Sequence, residues 1–209
     1  MIIHNTVRAI LLAAVCLLTG CLARPHLDPQ TFIFAPLPPS APKAAPSGRA
    51  LGIRTLQVAA PFEDRAFVYR TGDFSYEHDP YAEFMVPPAE GLVGPVCSGM
   101  RGAGVFRAVE EAGSAFKPDT LVEIQVSEMY GDFRPAENAS AVLAMRFEFF
   151  DAPHGTPGKA ILQREYERKI PLKARTADAL IDGWNQGLAQ ILDSAMLDFG
   201  RGDVSAAKP

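Results

Sequence analysis

Cysteine has the most reactive side chain in this sequence, and one of the three cysteines lies in a setting typical of chemical modification. Cys21 ends the run Leu18-Thr19-Gly20-Cys21, which follows an apolar stretch from Ala9 to Leu18 and the basic residue Arg8. This order of a basic residue, a short apolar stretch and small residues before a cysteine is typical of a lipoprotein signal peptide. We therefore predict a signal peptide over residues 1–20, cleavage before Cys21, and diacylglycerol on the Cys21 sulfur.

The length of the apolar stretch disfavours the alternative, an uncleaved membrane anchor. It has roughly ten residues, whereas a helix that crosses a membrane needs about 20. Acyl chains on Cys21 would anchor the protein stably, because each buried methylene contributes about 0.8 kcal/mol. Residue 22 is leucine rather than the aspartate that retains lipoproteins at the inner membrane of enteric bacteria. We therefore expect the inner leaflet of the outer membrane, with the folded part facing the periplasm.

The other reactive residues do not form a pattern that predicts catalysis. Cys16 lies in the predicted signal peptide, so Cys97 would be the one remaining thiol, without a disulfide partner, and we predict that it lies in the core. The mature chain has His26, His78 and His154, each in a predicted linker or turn, and scattered histidines do not predict a metal site. His78 beside Asp79 could resemble a base with its orienting carboxylate, but sequence neighbours rarely adopt that geometry. We therefore predict a protein that is not an enzyme and has no cofactor or metal.

Composition is that of a globular domain with little affinity for polyanions. The chain has 209 residues, of which 48% are hydrophobic and 21% charged, and its net charge is -4. This size fits one domain with appendages. The negative charge disfavours nucleic acid as a partner, since binding phosphates requires a basic surface.

The predicted domain organisation has four parts. After the signal peptide, residues 21–50 form a proline-rich tether that contains a short edge strand over Thr31 to Phe34. Residues 51–200 form a single domain, and residues 201–209 form a disordered tail.

Periodicity places the secondary structure of that domain. Apolar residues recur at helical spacing between Pro87 and Gly104, and again from Leu180 to Phe199, which predicts two amphipathic helices, the second ending at Gly200. Alternating or β-prone segments predict six strands, at residues 51–59, 66–70, 73–76, 120–133, 140–151 and 160–170. The predicted fold class is α+β, a mainly antiparallel sheet with two principal helices packed on one face.

Aromatic residues are dense in the stretch between the first strand and the first helix, which is rich in turns. Not all of them can be buried easily, and exposed apolar groups mark interaction sites. We therefore hypothesise a partner surface there. Its residues are Phe62, Phe74, Tyr76, Tyr81 and Phe84.

Several short motifs along the mature chain resemble those of a known family. In chain order they are Phe32-Ile33-Phe34-Ala35-Pro36-Leu37, Pro61-Phe62-Glu63-Asp64-Arg65, Val68-Tyr69-Arg70, Gly104-Val105-Phe106-Arg107-Ala108-Val109 and Met129-Tyr130-Gly131-Asp132-Phe133, followed by a long C-terminal helix. In this order the chain resembles the ABC-type transport auxiliary lipoproteins, the PqiC-like group that accompanies lipid-transport systems with MCE-domain proteins.

The resemblance implies a non-enzymatic lipoprotein that binds an MCE-domain protein of an ABC transporter, together with its permease and ATPase. It would support lipid transport and envelope integrity. Homo-oligomerisation is left open. The alternative is an outer-membrane assembly or secretion lipoprotein that binds a barrel or a polysaccharide.

Overall fold

The computed structural model describes residues 28–38, 45–111, 117–134 and 137–206. In chain order the helices and strands are β1 (Gln30–Phe32), β2 (Ala50–Val58), β3 (Ala66–Arg70), β4 (Tyr76–Phe84), α1 (Pro88–Gly102), β5 (Ala108–Glu111), β6 (Thr120–Asp132), β7 (Ser140–Asp151), β8 (Ala160–Pro171) and α2 (Ala177–Ala206). The predicted α+β class is confirmed.

The strands form a single mixed sheet in which the longest pairings are antiparallel. β6, β7 and β8 form an antiparallel meander, as predicted from their sequences. On its other side β6 pairs in parallel with two strands placed end to end, β2 along its first half and β3 at its end. The sheet therefore divides beyond β6, with β5 outside β2, and with β4 and then β1 outside β3.

The core lies between the helices and one face of the sheet. Trp184 of α2 is fully buried, and its indole N–H donates to the carbonyl oxygen of Val142 in β7 at 3.1 Å. The ring of Phe67 in β3 meets the indole edge to face, with 5.0 Å between centroids. α1 lies against α2, β2 and β5. The two helices thus complete a single core.

Three elements differ notably in their bounds from the sequence predictions, and β5 was not predicted. The strand predicted at residues 73–76 is instead β4, which begins at Tyr76, so residues 73–75 lie in the turn before it. The edge strand predicted over Thr31 to Phe34 is Gln30–Phe32. The C-terminal helix continues past Gly200 to Ala206, because glycine weakens a helix without terminating it when no left-handed cap follows.

Candidate interaction surface

The turn between β3 and β4 presents the most exposed aromatic side chain of the predicted surface. The amides of Thr71 and Gly72 donate to the carbonyl oxygen of Ser75, at 3.0 and 3.3 Å, and close the turn. Phe74 lies within it and is 98% exposed. We call residues 71–75 the hairpin tip.

Arg70 holds the hairpin tip from below. Its side chain donates to the carbonyl oxygens of Gly72 and Asp73, at 3.3 and 2.8 Å. The guanidinium also lies over the rings of Tyr76 and Tyr130, 5.6 and 5.9 Å from their centroids. A charged fork that bonds two carbonyls and stacks on two rings restrains the conformation of the turn.

Arg134 restrains the hairpin tip from its other side. Its guanidinium bonds both carboxylate oxygens of Asp132, at 2.9 and 2.6 Å, and also reaches Asp73 at 3.2 Å. The hydrogen bond from Arg134 holds the pKa of the Asp132 carboxyl below its usual range, although burial opposes this effect. Phe74 is therefore displayed on a turn that is fixed at both flanks.

An aromatic cluster supports the hairpin tip on the face of the sheet away from the helices. Phe62 stacks on Tyr130 at 5.8 Å, and Tyr76 meets Tyr130 edge to face at 5.5 Å. Burial raises the pKa of the Tyr130 phenol, so the hydroxyl stays protonated. Tyr76 is 43% exposed, whereas Phe62 is buried, which corrects its assignment to the surface.

Phe84 lies in the core, which corrects its assignment to the surface. Its ring stacks on Phe34 at 5.0 Å and on Trp184 at 5.7 Å. Successive side chains of a strand point to opposite faces of the sheet, and α2 covers one face of β4. Phe84 points to the covered face and is therefore buried against α2. Composition alone cannot separate this phenylalanine from the exposed one at position 74.

Tyr81 lies on an irregular part of β4 built around Asp79. The backbone amides of Tyr81 and Ala82 donate to one oxygen of the Asp79 carboxylate, at 2.7 and 3.0 Å, and the hydroxyl of Tyr69 donates to the other at 2.6 Å. Burial and this hydrogen bond raise the pKa of Tyr69. With its backbone fixed in this way, Tyr81 is left 47% exposed.

Sequence reasoning missed an exposed apolar group at the far end of β4. Ile33 and Met85 follow the paired residues Phe32 and Phe84 of two adjacent strands, and the amide of Met85 donates to the carbonyl oxygen of Phe32 at 2.8 Å. Ile33 is 62% and Met85 57% exposed, and Val86 beside them is also exposed. We call Ile33, Met85 and Val86 the edge patch. Only the strand pairing brings Ile33 beside Met85 and Val86, because it lies more than 50 positions before them in the sequence.

No protein-family model matches the sequence, and no curated protein matches it. Solved structures do match. The fold is similar to that of a Xanthomonas campestris protein of the DUF330 family. That match has a TM-score of 0.63 at 14% identity and covers 86% of this chain and 95% of that one. A second solved structure, of an uncharacterized protein, matches with a TM-score of 0.61 at 12% identity. This match covers 83% of this chain and 97% of the other. At these identities the likeness to the DUF330 protein shows the fold alone.

The other residues singled out in the sequence do not form a second candidate site within the part of the chain that the structure describes. Cys21 and His26 lie outside the described residues, and His78 is exposed on β4. Cys97 on α1 is half-buried rather than fully buried, and burial raises the pKa of its thiol. Within residues 28–38, 45–111, 117–134 and 137–206, no group of three histidine, cysteine or acidic side chains could hold a metal ion. No helix of those ranges is both long and apolar enough to span a bilayer.

A polar cleft at the start of β2 and β6 contains several charged groups. Arg49 donates to the Thr120 hydroxyl at 2.7 Å and to the Asp119 carbonyl at 2.8 Å, and it pairs with Asp151. The amide of Ala50 donates to the Asp119 carboxylate at 2.9 Å, which lowers the pKa of that carboxyl. These hydrogen bonds and the ion pair join the ends of β2, β6 and β7. This structural role accounts for the charged residues of the cleft.

Proposed function

We propose that this protein is a non-enzymatic lipoprotein, anchored through Cys21 to the outer membrane and facing the periplasm. In this proposal it is an auxiliary component of an ABC-type lipid-transport system and binds the MCE-domain protein of that system. Its role is to hold one end of a transport path, and it thereby supports envelope integrity.

Three lines of evidence support the proposal. The Leu18-Thr19-Gly20-Cys21 run supports lipidation. The ordered motifs of the mature chain support the resemblance to auxiliary lipoproteins, and the α+β fold accommodates all of them within one domain.

The observation that carries the binding role is the edge patch. Exposed apolar side chains next to one another on an ordered sheet edge favour contact with another protein, because such contact removes apolar surface from water. Ile33 and Met85 are held side by side by backbone pairing, so little conformational entropy is lost when they are covered. The proposed contact with the MCE-domain protein is made by the edge patch, with Tyr81 at its margin.

Affinity purification of the full-length lipidated protein from its native envelope in mild detergent tests the proposal. Mass spectrometry should find the MCE-domain protein with its permease and ATPase. Replacing Met85 with aspartate should lower their recovery on the order of tenfold, the effect of losing one hot-spot side chain. Gln125→Asp adds the same charge at an exposed position of β6, between β2 and β7, and should leave recovery unchanged.

A barrel or export protein recovered in place of the MCE-domain protein would favour the assembly-lipoprotein alternative. Equal recovery with Met85→Asp and Gln125→Asp would remove the edge patch as the contact.

A further inference from the structure

We propose that the hairpin tip is a second membrane contact, in which Phe74 enters the lipid interface next to the acylated Cys21. This inference rests on the lipid anchor of the proposed function and adds to it an orientation of the domain on the bilayer. The proposed partner of the tip is the membrane surface itself.

β1 begins at its end nearer the hairpin tip. β4 starts at the tip with Tyr76 and runs away from it to Phe84, and β1 runs parallel to β4. The first residue of β1, Gln30, therefore faces the tip along the strand axis. The chain that carries Cys21 joins the domain from the side on which Phe74 lies.

The number of residues before β1 allows Cys21 to reach the level of the tip. Gln30 pairs with Ala82, next to Glu83, and Glu83 pairs with Ala66 at the start of β3. From Ala66 to Arg70, below the tip, β3 advances by roughly 13 Å at about 3.3 Å per residue. The nine residue steps from Cys21 to Gln30 span at most about 32 Å. A membrane that holds the Cys21 acyl chains can therefore contact Phe74 at the same time.

The chemistry of the tip suits the lipid interface. Phe74 is almost completely exposed on a turn that Arg70 and Arg134 fix, so its insertion requires no rearrangement. Basic residues lie at the same end of the sheet. The residue pairings run across the strands from Tyr76 through Arg70 to Pro171, the last residue of β8. Lys173 and Arg175 follow Pro171 directly in the chain.

The charges around the tip are partly balanced, so apolar insertion dominates the proposed contact. Asp73 and Asp132 offset Arg134, and the guanidinium of Arg175 lies over the Phe133 ring at 4.9 Å. Apolar groups of interfacial segments enter about 5–10 Å into the boundary between headgroups and acyl chains, and we expect the Phe74 ring to reach a comparable depth. The edge patch, at the other end of β4, then faces away from the membrane and toward the periplasm.

Fluorescence of tryptophan variants tests this orientation. The full-length lipidated protein is reconstituted in vesicles of phosphatidylethanolamine and phosphatidylglycerol, with brominated or ordinary acyl chains. Phe74→Trp should lose about half of its added emission when the chains are brominated, because the new ring lies at the depth of interfacial insertion. Met85→Trp, exposed at the far end of β4, is the matched control and should keep its emission. Trp184 is buried in every variant and gives the same background.

The outcomes separate this inference from the proposed function. Acylation of Cys21 is measured by mass spectrometry on the same samples. If Cys21 is acylated and Phe74→Trp is not quenched, or Met85→Trp is quenched instead, the proposed orientation is wrong while the lipid anchor stands. If Cys21 is not acylated, both the anchor and this inference are overturned.

Discussion

At the scale of single residues, arginines with two roles explain how an exposed phenylalanine is held in place. Arg70 and Arg134 each donate to oxygens of the hairpin tip and also to partners in the sheet below it. Asp132, only 7% exposed, receives two of these bonds. Its carboxylate is thus the junction between the tip and the end of β6.

Asp132→Asn should lower the free energy of unfolding at pH 7 by about 1 kcal/mol, because the charged pair with Arg134 is lost. The folded-state pKa of Asp132 is lowered, so its contribution is fully present above the ordinary value of about 3.9 and is lost as pH falls through the folded-state value. Urea unfolding at a series of pH values should show the difference between wild type and variant shrinking below about pH 4.

The matched control for this measurement is Asp73→Asn. Asp73 bonds the same Arg134, but its side chain is 80% exposed, and exposed pairs contribute only about 0–1 kcal/mol. Asp73→Asn should therefore lower the free energy of unfolding by less than Asp132→Asn does. A difference between wild type and Asp132→Asn that stays constant with pH would show that the carboxylate charge contributes nothing to stability.

At the scale of elements, the contact between α2 and β7 is set by a glycine. A Cβ atom at Gly183 would lie 2.6 Å from the Cβ of Ala141, closer than real side chains come. At Gly187, one turn later, a Cβ would meet Arg168, Ile170 and Leu143 at ordinary contact distances of 3.6–3.7 Å. The helix therefore lies closer to the sheet at Gly183, directly before Trp184, than at Gly187.

Gly183→Ala should destabilise the domain by about 1–3 kcal/mol through overpacking, despite the better helix propensity of alanine. Gly187→Ala, in the same helix, should be neutral or stabilising by up to about 1 kcal/mol. Thermal unfolding of both variants, compared with the wild type, measures the two changes in Tm. Equal shifts in Tm would contradict close packing at Gly183 as the origin of the difference.

The elements that could be predicted from the sequence are those with a clear period. The Leu180 to Phe199 stripe predicted α2, and the long strands β6, β7 and β8 were found from their apolar alternation or β-prone content. β4 was predicted only at its first residue, Tyr76, because Glu77 to Pro80 interrupt its apolar pattern. These residues lead into an irregular stretch in which the amides of Tyr81 and Ala82 donate to the Asp79 carboxylate. A strand that is interrupted by proline is not recognisable from its local sequence, because these hydrogen bonds appear only in the folded structure.

The candidate surface was predictable only in part, for a related reason. Phe74 and Tyr81 are exposed as hypothesised, whereas Phe84 packs on Trp184, a residue 100 positions later in the sequence. The edge patch depends on the parallel pairing of β1 with β4, which joins the tether to the domain. Pairings of this kind arise from the whole fold, so aromatic density indicated the region but not the individual contacts.

At the scale of the whole molecule, the proposed anchor and the proposed hairpin contact differ greatly in strength. Each methylene of an acyl chain contributes about 0.8 kcal/mol, so two or three chains hold the protein on a membrane essentially permanently. Burial of one phenylalanine contributes at most about 1.5–3 kcal/mol. Phe74 can therefore orient a protein that is already anchored, but it cannot retain one that is not.

Cys21→Ser, exported behind a signal peptide whose cleavage requires no lipid, should accordingly move the protein from the membrane fraction to the soluble periplasmic fraction, even with Phe74 intact. Fractionation of cells followed by immunoblotting measures this distribution. Cys97→Ser is the matched control, since it removes a half-buried thiol of α1 and leaves the anchor unchanged, so the protein should stay with the membrane. Retention of Cys21→Ser on the membrane would mean that another part of the chain supplies the anchoring free energy, and a combined Cys21→Ser, Phe74→Ala variant would then show whether the hairpin tip is that part.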